Sequence, residues 1–256
     1  MIEIRDVTLP ALTGEEKRRA YVYLPQAIEH NRRLRCPVLY MFDGHNVFFD
    51  EHATYGKSWG LGRYLDTHHT PLIVAAVECS HSPDNGRIKE YAPYSFSSRE
   101  FGEIEGLGPL TMDWLVNSFK PEIDRCYPTK PGRRHTFIAG SSMGGLMSIY
   151  ALCTYNSVFS RAAALSPSLV FNTGSLEALV RAADIKADSV LYMDIGEKEL
   201  GWHNAARIFR QFTELFLKRG VRLTARIVPG GRHCEADWEK QIPFFIPALL
   251  YGLEKK

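Results

Sequence analysis

A disulfide framework and a zinc ribbon both need cysteines paired at short spacing, and this chain lacks them. Its five cysteines, Cys36, Cys79, Cys126, Cys153 and Cys234, are odd in number, widely scattered and free of any C-x-x-C. A reducing compartment suits them. Excess charge is also missing: the formal net charge is +2 with no run of five like charges, so neither a polyanion-binding tail nor a nucleic-acid partner is expected. No apolar run approaches the length of a membrane span, and no membrane partner is expected either. The opening MIEIRDVTLP is charged and strand-like where a secretory leader would be apolar, which points to a cytoplasmic protein. The short charge clusters Glu15 to Arg19 and Arg32 to Arg35 read as solvated loops.

What the chain has is an ordinary globular balance, 45% hydrophobic and 23% charged, enough to bury a large core over one domain spanning residues 1–256. Ile2 to Leu9 and Arg19 to Leu24 read as two opening strands, the second alternating as at a sheet margin with one less buried face. Pro37 to Phe42, Leu72 to Val77 and Ser189 to Ile195 are continuous apolar runs, the pattern of strands covered on both faces. Glu78 to Gly108 has no clear period and reads as a long loop with one short helix, in which Arg87, Glu90 and Tyr91 form a turn with an internal ion pair. Thr111 to Tyr127 is amphipathic, with Thr111 placed as a cap and Pro121 dividing it. Helices follow over 175–183, 203–219 and 235–251, and a last edge strand runs from Val221 to Ile227. Strands and helices that alternate from residue 37 onward require a mostly parallel central sheet with helices on both faces, an α/β fold with antiparallel strands at its N-terminal margin.

The stretch FIAGSSMGGLMSIYALC, residues 137–153, carries the chemistry. A short apolar strand stops at Gly140 and a helical period starts at Met143, with Ser142 at the join in G-x-S-x-G, the form of a nucleophile elbow. The flanking glycines are needed because a Cβ at either position would press on a neighbouring strand or helix. A glycine-rich turn without catalysis has the same local composition, but the uninterrupted buried helix after it favours the elbow. Ser141 is the alternative hydroxyl, and the elbow spacing selects Ser142.

A serine needs a base within reach and a carboxylate to orient that base. In an elbow fold both follow the serine, on loops after later strands. Of nine histidines only His203 and His233 do so; His203 opens a helix, whereas His233 lies in a Gly-Gly loop after the last strand and is the expected base. Three carboxylates end the strand before it: Asp194, Glu197 and Glu199. Glu199 is far enough along the loop to turn toward a histidine and is preferred, with Glu197 next. The oxyanion donors expected are the N–H groups of Met143 and of His45, the latter in Asp43-Gly44-His45-Asn46 after a central strand; a plain turn is the other reading of that segment. Asp43 and Asn46 read as braces of the loop. His45, His52, His68 and His69 have no metal-ligand spacing, and neither metal nor cofactor is expected.

Together, GSSMGG, DGHNVF, R-x-x-E-Y, the S-P-S after the next strand and GGRHCEADW resemble the Putative esterase family of α/β-hydrolases, which includes esterase D-like, feruloyl and enterochelin esterases. The resemblance spans nearly the whole chain. It implies hydrolysis of carboxylic esters or thioesters with Ser142, Glu199 and His233 as the triad and Met143 and His45 as oxyanion donors. Its weakest point is the acid, since many relatives carry Asp there. The expected partner is a small-molecule ester, and a homo-oligomer stays open. Acyl transfer at the same site, or a binding protein that keeps the fold, are the competing readings.

Overall fold

A computed structural model describes residues 1–31 and 33–253 of the protein; Arg32, in the second charge cluster, lies outside the described residues. The chain opens with β1 (Ile2–Thr8), a short helix α1 (Pro10–Thr13), β2 (Lys17–Tyr23) and a short helix α2 (Ala27–His30). Then come β3 (Val38–Met41), α3 (Leu61–Thr67), β4 (Ile73–Val77), α4 (Gly86–Glu90) and a small hairpin of β5 (Phe96–Ser98) and β6 (Gly102–Ile104). A long helical stretch follows: α5 (Gly108–Trp114), a π-helical segment Leu115–Phe119 and α6 (Lys120–Cys126). The second half runs β7 (Thr136–Ser141), α7 (Met143–Thr154), β8 (Arg161–Leu165), α8 (Thr173–Ala182), β9 (Val190–Gly196), α9 (Ala205–Lys218), β10 (Arg222–Val228), α10 (Glu235–Glu239) and α11 (Ile242–Leu250).

Eight strands form the central sheet in the order β1-β2-β4-β3-β7-β8-β9-β10. The pairs β1–β2 and β2–β4 are antiparallel, and every later pair is parallel. Because strand side chains alternate between faces, a strand covered on both sides must be apolar at every position. In β3, Val38 and Tyr40 join one core while Leu39 and Met41 join the other; Ile73 and Ala75 against Val74 and Ala76 repeat this in β4. The helix α7 and the apolar stripe of α9 (Ile208, Phe209, Phe212, Leu215, Phe216) fill the first core, and α11 (Ile242, Phe245, Ile246, Leu249) the second.

The order of strands also fixes where chemistry belongs. The chain leaves β3 toward β4 on one side and later returns to lay β7 on the other, so β3 and β7 flank a topological switch point. At such a point neighbouring connections diverge and leave a crevice beyond the carboxyl ends of the strands.

Several expectations need correcting. The strand β2 is no half-exposed margin: Ala20, Tyr21, Val22 and Tyr23 are all buried, and the two tyrosine hydroxyls reach carboxylates, Tyr21 donating to Glu78 at 3.1 Å and Tyr23 to Asp66 at 2.7 Å. The first charge cluster is not wholly solvated, because Arg18 is buried and forms an ion pair with Glu90 at 2.5 Å. This pairing also removes Glu90 from Arg87, so the ion pair expected inside R-x-x-E-Y is absent; Arg87 turns to Asp43 instead. Within the presumed long loop, Phe96 to Ile104 makes a hairpin. Thr111 does not cap its helix, which already begins at Gly108 with a proline in its first turn; its hydroxyl donates to the Glu90 carbonyl at 2.8 Å. A π turn precedes Pro121, which lies within the continuous helical run; the widened turn accommodates the proline ring and the helical bond its missing N–H removes. The C-terminal helix is two helices, α10 and α11, with Pro243 opening the second and Pro247 inside it.

Candidate active site

The carboxyl ends of β3, β7 and β8, three neighbouring strands, each lead into a residue that L side chains rarely permit. Asp43 has φ 57°, Ser142 φ 57° and Ser166 φ 42°. Strain concentrated in one place needs a structure that over-determines it, and here glycine supplies the room. At Gly140 a Cβ would lie 2.7 Å from the backbone of Gly144, and at Gly44 one would lie 2.8 Å from the Ala76 carbonyl carbon. The helix α7 therefore packs hard against its own strand, and the 44–46 turn against β4. Ser142 stands on the resulting corner with φ 57° and ψ −121°, its amide held by the Leu165 carbonyl at 2.9 Å.

Around this corner the predicted residues are distributed as follows. Met143 N and His45 N donate to no acceptor among the described residues, so both amides are free to bind an oxygen of a ligand. Glu199 is buried, on the turn Glu197–Glu199 that follows β9. Its Oε2 lies 2.6 Å from His233 Nδ1, while its Oε1 accepts from the Ser166 hydroxyl at 2.7 Å and from the Gly196 amide at 2.9 Å. Burial pushes the Glu199 carboxyl up, but the hydrogen bonds from His233 and Ser166 outweigh it and hold the pKa below the ordinary glutamate value. Glu199 and His233 are thus brought together, and no hydrogen bond joins His233 to Ser142; the Ser142 hydroxyl has Ser168 Oγ as its neighbour, at 3.3 Å. Apo hydrogen bonds in such sites are often long or unmade and tighten only with substrate.

The two other carboxylates face elsewhere. Glu197 accepts from the Gly230 amide at 2.7 Å at the surface. Asp194 is still within β9 and buried, accepting from the Tyr192 hydroxyl at 2.8 Å and the Ser166 amide at 3.1 Å; burial lifts its pKa to about 7.

The loop after β3 is braced from outside. Arg87 Nε and Nη2 clamp Asp43 at 2.7 Å each, a bidentate pair, and the Tyr91 hydroxyl accepts from the Asp43 amide at 3.1 Å. Burial opposes a charged Asp43, but Arg87 prevails and keeps its pKa below the ordinary value. Asn46 accepts from the Thr54 amide at 2.9 Å and approaches Glu235 at 3.4 Å, and burial raises the Glu235 pKa. The R-x-x-E-Y element therefore holds the candidate oxyanion turn in place.

Sequence reasoning missed four residues here. Ser166 ties the Glu199 carboxylate down and accepts from the Trp238 indole at 3.0 Å; Trp238 also packs edge-on against the His233 ring, centroids 4.9 Å apart. Ser168 neighbours the Ser142 hydroxyl, and Trp202, half exposed, stands 5.9 Å from the His233 ring. The available signal was S-P-S itself: two hydroxyls closing a buried strand next to the elbow strand. The four histidines weighed as a metal group do not assemble, since His52 sits against Tyr21 and His68 against Tyr64. Among the described residues, one group of metal-ligating type exists, His45 with Cys79 and His81.

The Putative esterase family model matches residues 12–249. The chain belongs to this family. Membership supports ester hydrolysis, and the central sheet with its flanking helices is of the α/β-hydrolase type. The chain is 25% identical over 186 residues to the uncharacterized protein YbbA of Bacillus subtilis (strain 168), a match covering 71% of this chain and 69% of that protein. A ferulic acid esterase structure superposes with a TM-score of 0.70 at 18% identity, over 97% of both chains. The S-formylglutathione hydrolase FrmB of Staphylococcus aureus gives 0.66 at 19% identity, over 98% of this esterase-family chain and 97% of its own. No helix of this family member is long and apolar enough to cross a membrane, among the described residues.

Proposed function

We propose that this protein hydrolyses carboxylic esters or thioesters through an acyl-enzyme on Ser142. The observation that carries the reading is the part-buried 2.6 Å contact between Glu199 and His233, on the turns after β9 and β10, at the same end of the sheet as a serine held on a strained corner at the switch point. With Glu199 accepting the Nδ1 hydrogen, Nε2 is left as the basic nitrogen of His233. Substrate binding turns the Ser142 hydroxyl from Ser168 to that nitrogen, His233 takes its proton, and Oγ attacks the acyl carbon. The resulting oxyanion is received by the amides of Met143 and His45, which lack other acceptors. His233 then protonates the leaving alcohol or thiol and activates water to release the acid. The step consumes an ester and water and invokes no cofactor.

The test is turnover of a p-nitrophenyl ester by Ser142→Ala. Its kcat should fall by about 10⁴ to 10⁶, the scale of triad deletions, with the fold retained. A variant keeping more than about a tenth of wild-type kcat would sink the assignment, since every step above passes through Oγ. Mass spectrometry of the protein treated with a fluorophosphonate should locate the adduct on Ser142 and not on Ser141.

A further inference from the structure

We propose that His45, Cys79 and His81 form a binding site for a borderline divalent cation of the Zn(II) type, built on the side chain of the candidate oxyanion donor. A ring nitrogen of each histidine and the Cys79 sulfur lie within 4.8 Å of one another. Tetrahedral zinc, with bonds of about 2.0–2.1 Å to nitrogen and 2.3 Å to sulfur, sets its ligand atoms roughly 3.3–3.6 Å apart. Closing the site thus asks for a shift of about an ångström, and one ligand is free to make it. His81 is exposed, and its ring takes part in no hydrogen bond among the described residues.

The other two ligands are already fixed. His45 is 3% exposed, its Nε2 lies 3.0 Å from Thr54 Oγ1, and its ring meets that of His81 edge-on with centroids 5.0 Å apart. Its second nitrogen, Nδ1, is buried and has no hydrogen-bond partner among the described residues. A buried ring nitrogen without a partner is uncommon and calls for an explanation. A histidine held at one nitrogen by a hydroxyl and unpartnered at the other is oriented in the manner of a metal ligand. Cys79 is buried beside it, and the ester-cleaving mechanism uses neither Cys79 nor His81.

Two imidazoles and a thiolate suit zinc and its neighbours better than magnesium or calcium, which take oxygen ligands. On binding, the thiol proton leaves to solvent and sulfur takes the metal. Asp43 is paired with Arg87 but also acts on Cys79, and burial together with Asp43 keeps that thiol protonated until a metal displaces the proton; the thiolate so formed is the charge that offsets the cation. Three protein ligands leave a fourth position for water. Occupation brings His81 onto the site and locks the His45 ring, and with it the Gly44–Asn46 turn that carries the candidate oxyanion amide, so the turn can no longer adjust to substrate and the cation acts as an inhibitor. This second half rests on the proposed esterase reading; the binding itself does not.

Cobalt(II), a spectroscopic stand-in for zinc, should be titrated into the intact metal-free protein while the thiolate-to-cobalt absorption in the near ultraviolet is followed. The expected result is one equivalent bound, with the band lost in Cys79→Ser and affinity lowered roughly tenfold or more in His81→Ala, a surface change that leaves the fold undisturbed. Exposed Cys126 is the competing thiol, and a band that survives both substitutions overturns the proposal, as does no band at all. Zinc should inhibit ester hydrolysis by the wild type, while His81→Ala keeps the metal-free rate and resists zinc. Equal inhibition of both would place the inhibitory metal elsewhere and refute the regulatory half. If no ester is turned over, the cobalt titration still decides the site.

Discussion

Replacing Glu199 by glutamine separates the proposed acid from every other carboxylate near it. The side chain keeps its shape, so the outcome depends on which way the amide settles. Glu199 Oε1 accepts two donors, the Ser166 hydroxyl at 2.7 Å and the Gly196 amide at 2.9 Å, and only an oxygen can satisfy both. The amide oxygen must stay there. The new NH₂ group then faces His233 Nδ1, where Oε2 stands at 2.6 Å, and it donates where the carboxylate accepted. Nδ1 becomes the lone-pair nitrogen, the ring hydrogen moves to Nε2, and His233 has no basic nitrogen left for Ser142. A wrong tautomer in such a triad lowers kcat by about 10⁴, or roughly 5 kcal/mol of transition-state stabilisation. Steady-state hydrolysis of p-nitrophenyl acetate at pH 8 should show this loss in kcat with KM little changed. Glu197→Gln, altering a surface contact, should stay within about threefold of wild type. A Glu199→Gln enzyme within about tenfold of wild type, or a larger loss in Glu197→Gln or Asp194→Asn, would refute the reasoning.

Two further outcomes follow from packing and burial. Gly44→Ala puts a methyl 2.8 Å from the Ala76 carbonyl carbon and 2.9 Å from the Val77 nitrogen, both backbone, so the turn bearing the His45 amide must move. Overpacking of this kind costs about 1–3 kcal/mol, and both the melting temperature and kcat should fall; an unchanged kcat would remove His45 from the oxyanion site. Burial raises the folded-state pKa of Asp194 to about 7, above the ordinary aspartate value, so folding retains a proton there. Its contribution to stability is therefore full at low pH and is lost as pH rises through about 7, by an amount on the order of 4 kcal/mol at most. Urea midpoints at pH 5 and pH 8 should show wild type losing stability relative to Asp194→Asn, and a pH-independent difference would contradict this.

The fold was legible because periodicity reports burial. Runs such as PVLYMF and LIVAAV are apolar at every position only if helices cover both faces, and the strands formed there. The elbow was legible because glycine spacing records close approach of backbones. What pattern did not record was pairing across distance. Arg87 and Glu90 stand one helical turn apart and invite an internal ion pair, yet their partners, Asp43 and Arg18, are 44 and 72 residues away. Alternation in β2 suggested a wet face because tyrosine is amphipathic; Glu78 and Asp66, which let those hydroxyls be buried, lie on other elements. Ser166 read as the end of a strand, since its contacts to Glu199 and Trp238 exist only once three loops meet.

Asp43, Ser142 and Ser166, with their left-handed backbones, place this chain in tension with any selection for stability alone. Glycine would occupy each conformation at less cost, by about 1–2 kcal/mol per residue. At Asp43 and Ser166 that gain is offset, because glycine would forfeit the ion pair with Arg87 and the hydrogen bonds to Glu199 and Trp238; at Ser142, whose hydroxyl neighbours Ser168 alone, Ser142→Gly should outlast the wild type on heating while losing the hydroxyl. The proposed nucleophile thus stands where reactivity and durability oppose one another.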